Sequence, residues 1–115
     1  MKTPGPDHPI AIAPTSCRVV VKAGGKVIAD TRAALTLREA SYPPVQYVPR
    51  ADADMSLLTR SDHKTHCPYK GDASYYSLPG AQNAVWTYET PYPAVAGIAG
   101  HLAFYPNRVD SIEIE

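Results

Sequence analysis

A small, mainly β domain is what this chain encodes, and three features of its sequence point there. Its 115 residues include twelve prolines, about twice the ordinary share of ~5%, and proline disrupts helices and central sheet ladders alike. Leu35 and Leu37 alternate with Thr36 and Arg38, and Val109 to Ile114 alternates again, which is the period of a half-buried strand. Ala23-Gly24-Gly25 sits between two valine-containing runs, and two glycines with access to positive φ suit a tight hairpin turn. The expected architecture is a compact antiparallel sheet, barrel-like or sandwich-like, with one or two short helices in a single domain. A proline-rich leader is expected over residues 1–15 and the domain over 16–115.

The elements follow in order. Cys17 to Lys22 and Lys26 to Asp30 form the hairpin, Ala34 to Glu39 a third strand, and Val45 to Val48 a short extended piece after Tyr42-Pro43-Pro44. Asp52 is placed to cap one or two helical turns across 51–58, with Met55 and Leu58 turned inward. Ala73 to Leu78 and Ala84 to Glu89 read as paired aromatic strands. On them Trp86 and Tyr88 share one face, and Tyr75 and Tyr76 point to opposite faces. Pro93 to Ile98 suits a short helix because proline is tolerated in a first turn. His101 to Tyr105 and Val109 to Ile114 complete the strands.

Charge excludes some partners. Eleven lysines and arginines balance eleven aspartates and glutamates, leaving no surplus to hold a phosphate backbone, so nucleic acid is not an expected partner. No run approaches the ~18 apolar residues of a membrane span, and the first nine residues carry three prolines where a signal peptide needs an apolar segment. A cytoplasmic protein without membrane contact is expected. Cys17 and Cys67 are too few for a disulfide scaffold and are expected to be free.

Chemistry concentrates in Thr65-His66-Cys67-Pro68-Tyr69-Lys70-Gly71, which is either a reactive centre or a strand ending in a turn. His66 and Lys70 are candidate proton carrier and cation, and Cys67 a candidate nucleophile. Neighbours on a strand face opposite ways, so His66 is badly placed to activate Cys67 there. His63, His66 and Cys67, even with His8 or His101, lack zinc-site spacing, and no metal site is assigned. Arg50 suits a carboxylate or phosphate through two donors, alongside Lys70 as a point charge. The alternative is surface pairing of Arg50 with Asp52 or Asp54 and of Lys70 with Asp72. Tyr47, Tyr75, Trp86 and Tyr88 would give a cavity an apolar wall with polar tips. No phosphate-loop or dinucleotide-binding glycine pattern is present.

These residues also resemble a known family, the domains of unknown function numbered 427, sometimes called nucleotidyltransferase-like. The likeness rests on Tyr47-Val48-Pro49-Arg50 with Asp54, on Thr65 to Gly71 with Ala73 and Tyr75, and on Trp86 and Tyr88. It continues through Pro93, Ala94, Ile98 and Gly100 to Ala103-Phe104-Tyr105, Arg108 and Val109-Asp110. The resemblance implies a mainly β single domain and no established reaction or cofactor. The function expected from the residues is binding of, or action on, a small anionic or aromatic metabolite at Arg50, Lys70 and the aromatics. The alternatives are an interaction protein that forms a homodimer and, from the family label, a nucleotidyltransferase-like enzyme. Asp52 and Asp54 are the nearest carboxylate pair for such an enzyme, although capping is the commoner role of such residues.

Overall fold

The computed structural model describes all 115 residues and contains ten strands and three short 3₁₀ turns. Strands β1 (Ile10–Pro14), β4 (Leu35–Glu39) and β5 (Val45–Tyr47) form one antiparallel sheet in the order β1-β4-β5. Strands β2 (Val19–Ala23), β3 (Lys26–Thr31) and β10 (Ser111–Ile114) form a second in the order β10-β2-β3. The third contains β6 (Thr59–Cys67), β7 (Gly71–Leu78), β8 (Ala81–Thr87) and β9 (Leu102–Phe104) in sequence order. The mainly β, compact, antiparallel architecture is the expected one.

The glycine hairpin forms as its chemistry requires. Gly24 and Gly25 both take positive φ, at 58° and 77°, the pair of left-handed conformations that matches the twist of the flanking strands. The segment read as a leader is partly integrated into the fold, since Ile10–Pro14 pairs with β4 through Ile12 opposite Leu37. The one or two helical turns expected across 51–58 are two separate 3₁₀ turns, Arg50–Asp52 and Met55–Leu57, and Asp54 rather than Asp52 is the cap, accepting from the Ser56 N–H. Asp52 instead accepts from the Thr31 hydroxyl at 2.7 Å. Pro93–Ile98 is also 3₁₀ and buries Val95 and Ile98. No helix is long and apolar enough to cross a membrane.

Two apolar clusters lie on opposite faces of the β7–β8 pair. Tyr76, Leu78 and Val85 pack with Val19, Val21 and Ile28 in one cluster, and Tyr75 and Tyr88 pack with Leu37 and Tyr47 in the other. Burial on both faces explains why β7 is buried almost continuously. Strand β6 pairs only with β7 and lies at the sheet edge, where exposed Arg60, Asp62, Lys64 and His66 discourage pairing with another chain. Val48 exchanges backbone hydrogen bonds with Leu102, at 2.7 and 2.8 Å, joining the first sheet to β9.

Gly25→Val places a β-branched residue at φ 77° and is expected to cost more than about 1 kcal/mol of unfolding free energy in urea titration.

Candidate functional site

The alternation of β4 turns Leu35, Leu37 and Glu39 to one side. Register pairs Leu35 with Tyr47 and Leu37 with Val45, so this face of β4 and β5 carries three apolar residues, a phenol and one carboxylate. Opposite it, Tyr75 pairs with Trp86 across β7 and β8, which puts both rings on one face, with Tyr88 two residues beyond Trp86. A cavity of about 220 Å³ lies between these surfaces. Leu37, Glu39, Val45, Tyr47, Tyr75, Trp86 and Tyr88 line it, together with Lys70 and with Tyr42 and Pro43 from the loop before β5.

Lys70 enters from the turn joining β6 to β7. Gly71 follows it with φ 107°, a conformation open to glycine and strained for other residues, and the Tyr92 N–H bonds to the Lys70 carbonyl at 3.0 Å. The ammonium is buried, donates to Glu39 Oε1, and lies 5.9 Å from the centre of the Tyr88 ring. Glu39 Oε2 meets His8 Nε2 at 2.7 Å, and the His8 ring stacks on Tyr69 with centroids 3.9 Å apart. Burial acts to raise the Glu39 carboxyl, but the hydrogen bonds and charges of Lys70 and His8 outweigh it and hold the group below the usual glutamate range.

The phenols are distinctive. Trp86 Nε1–H donates to Tyr47 Oη at 3.3 Å, and the Tyr47 hydroxyl proton has no acceptor within the protein. Tyr88 is 6% exposed, and no protein group hydrogen-bonds its hydroxyl. Asn83 Oδ1 is the only fully buried side-chain polar atom left without a partner, so Tyr88 Oη is not sealed in the core, and Tyr88 is one of the residues lining the cavity. Burial pushes both phenols well above the ordinary tyrosine value, and the nearby Glu39 carboxylate adds to the effect on each. Both therefore remain O–H donors at neutral pH. Tyr75 is differently engaged, sharing hydrogen bonds with Thr65 at 2.9 Å and Tyr105 at 3.3 Å.

Of the residues singled out from sequence, Tyr47, Lys70, Tyr75, Trp86 and Tyr88 meet at this cavity. Cys67 packs half-buried against the same aromatic cluster and is a free thiol, as is Cys17. His66 is exposed and pairs with Asp72 at 2.7 Å. Arg50 does not line the cavity. It donates to the Gly100 carbonyl at 2.7 Å, Tyr76 Oη at 2.8 Å, Thr87 Oγ1 at 3.3 Å and Glu89 at 3.2 Å. Tyr76 and Thr87 alternate with Tyr75, Trp86 and Tyr88, so Arg50 is on the opposite face of the sheet from the cavity. Its carboxylate partner is Glu89 rather than Asp52 or Asp54, and that of Lys70 is Glu39 rather than Asp72. Glu39 is the site residue that the sequence motifs do not single out, although it is an acid in register with two inward leucines. No group of three or more histidine, cysteine, aspartate or glutamate side chains is arranged to hold a metal ion.

Two substitutions separate these roles. A carboxyl depressed in the folded state stabilises the protein above its unfolded-state value and stops doing so as pH falls through the folded one. Glu39→Gln, which strands a buried ammonium, is expected to cost about 3 kcal/mol at pH 7. Its deficit relative to the parent should narrow as pH falls from the ordinary glutamate value of about 4.3 through the lower folded-state one, where the parent's Glu39 also becomes protonated. Denaturant titrations at pH 7 and pH 3 check this. Arg50→Ala removes several hydrogen bonds and is expected to lower the melting temperature without altering the cavity, which scanning calorimetry together with Trp86 fluorescence would show.

No curated protein matches the chain. A family model, NTP_transf_9, described as a domain of unknown function (DUF427), matches residues 11–115. That span includes every residue lining the cavity, and the chain belongs to this family.

Proposed function

We propose that the protein binds a small molecule through an oxygen acceptor, a carboxylate or carbonyl, held in the cavity between β4–β5 and β7–β8. One observation carries this reading: the phenol O–H groups of two buried tyrosines, Tyr47 and Tyr88, have no acceptor in the protein and belong to a cavity that Lys70 also lines. Such donors are free to exchange solvent for an acceptor that enters the cavity, and a hydrogen bond to a charged acceptor contributes about 1.5–3 kcal/mol. Lys70 contributes positive potential while remaining paired with Glu39, and Trp86 offers an aromatic wall for a planar body.

Binding is favoured over catalysis by the arrangement of the reactive side chains. His66 points to solvent, Cys67 lies beside the cavity, and Glu39 is the only carboxylate among the lining residues. Nucleotidyl transfer, which the family label evokes, would call on paired carboxylates, and Asp52 and Asp54 are each engaged locally. A homodimer is a second reading, supported by the exposure of Tyr42 and Ile114, at 64% and 54%.

Trp86 is the sole tryptophan, so its fluorescence reports on this site without labelling. Titration with acetate, benzoate and related small acids and ketones is expected to shift that emission and raise the melting temperature. Tyr88→Phe is expected to leave stability within about 0.5 kcal/mol, because the hydroxyl has no protein partner. It should weaken binding about tenfold, the value of one hydrogen bond to a charged acceptor. Undiminished affinity in that variant, or silence across the panel, would overturn the proposal.

A further inference from the structure

A second, larger hollow adjoins the cavity. It measures about 610 Å³ and shares Tyr42, Pro43, Val45 and Trp86 with the first. Beyond these shared residues its walls are Val21, Val48, Phe104, Ile112 and Ile114, with Pro44 and Pro106 at the sides. Val21 pairs with Ile112 across β2 and β10, and Ile114 follows Ile112 by two, so these side chains form one apolar face. Gln46 is the single amide in the lining, and its polar atoms are already used. Its Nε2 donates to Thr36 and its Oε1 accepts from Thr15.

Polarity therefore changes sharply across Trp86 and the Tyr42–Val45 segment. One side has an ammonium, a carboxylate and two unaccepted phenol protons. The other has mainly hydrocarbon walls, with the Gln46 amide and the exposed Tyr42 ring as its only polar-tipped residues besides Trp86. A wholly polar ligand would gain nothing from the larger hollow, and a hydrocarbon would leave the phenols unpaired.

Resting on the reading above, we infer that the ligand is an amphiphile, a carboxylate bearing an apolar chain. Its head accepts from Tyr47 and Tyr88 near Lys70, and its chain passes Trp86 to lie along Val48, Phe104, Ile112 and Ile114. Affinity is then governed by chain length, because each methylene removed from water contributes about a fourfold gain.

The test titrates the full chain with butanoate, octanoate and dodecanoate below their aggregation concentrations, following Trp86 emission and heat. Affinity is expected to rise more than tenfold from four to eight carbons, and further or to a plateau at twelve. Butanoate too weak to detect beside measurable octanoate counts in favour. Ile114→Glu, at an exposed position that tolerates a charge, is expected to weaken dodecanoate at least tenfold and leave short acids unaffected. Ile112→Ser provides the same comparison from the adjacent wall. Equal affinity for all three acids overturns the amphiphile and leaves the cavity reading standing, whereas dodecanol binding as tightly as dodecanoate removes the head-group assignment alone. Failure of every acid removes both. Sedimentation at twice 12.4 kDa that Ile114→Glu returns to monomer would show a second copy covering the groove, and would also overturn the inference.

Discussion

The pair of hydrogen bonds between Val48 and Leu102 is the backbone link on which the arrangement of the cavity walls depends. It is a single β-bridge outside the regular strands, yet it fixes β5 against β9. Because Ala103, next to Leu102, pairs with Trp86, the bridge brings Tyr47 and Trp86 together with ring centroids 6.3 Å apart and planes at 87°. It also separates the two apolar clusters. Val48 faces one and Tyr47 the other, as adjacent residues on an extended chain must. Without this bridge the two walls of the cavity would be joined by side chains alone, through Lys70 with Glu39 and Trp86 with Tyr47.

Local chemistry was legible where it was decisive locally. The Gly24-Gly25 turn, the inward leucines of β4 and the opposed faces of Tyr75 and Tyr76 each follow from a few neighbouring residues. Strand β6 was only partly legible, in the segment around His66 and Cys67. Thr59 to Lys64 is largely exposed and polar, and an edge strand with little buried surface carries no alternation to detect. Ile10–Pro14 was hidden for a related reason, since its partner β4 lies more than twenty residues away and the surrounding prolines resemble a leader.

The candidate site shows the same division. Strand periodicity groups Trp86 with Tyr88, and Tyr75, Tyr47 and Lys70 join them because strand pairing and tertiary packing bring separate segments together. Arg50 did not. Proximity in sequence to Tyr47 made it look like part of the same wall, but the 3₁₀ turn that begins at Arg50 carries it to the other side of the sheet, where backbone, phenol, hydroxyl and carboxylate acceptors surround it. A guanidinium with so many protein acceptors acts as a fastener between β7, β8 and the Gly100 segment, and it also draws the Tyr76 phenol, against the effect of burial, below the ordinary tyrosine value together with Arg60.

The Lys70–Glu39 pair invites a different explanation. Both side chains are nine-tenths or nearly so removed from solvent, at 10% and 12% exposed, and a buried ion pair of this kind is often no more stabilising than apolar residues of the same volume. Stability alone gives little reason to keep it among Leu37, Tyr47 and Tyr88. Retaining charge there makes sense if the cavity must present a positive group to something that enters, with Glu39 and His8 holding the ammonium in place while the cavity is empty. The same reasoning covers Tyr88, since phenylalanine there would fill the same space without an unaccepted proton, whereas the Tyr47 hydroxyl also accepts from Trp86. Two departures from the cheapest packing, the ion pair and the Tyr88 phenol, occur around one cavity, and the proposed ligand with an oxygen head would account for both.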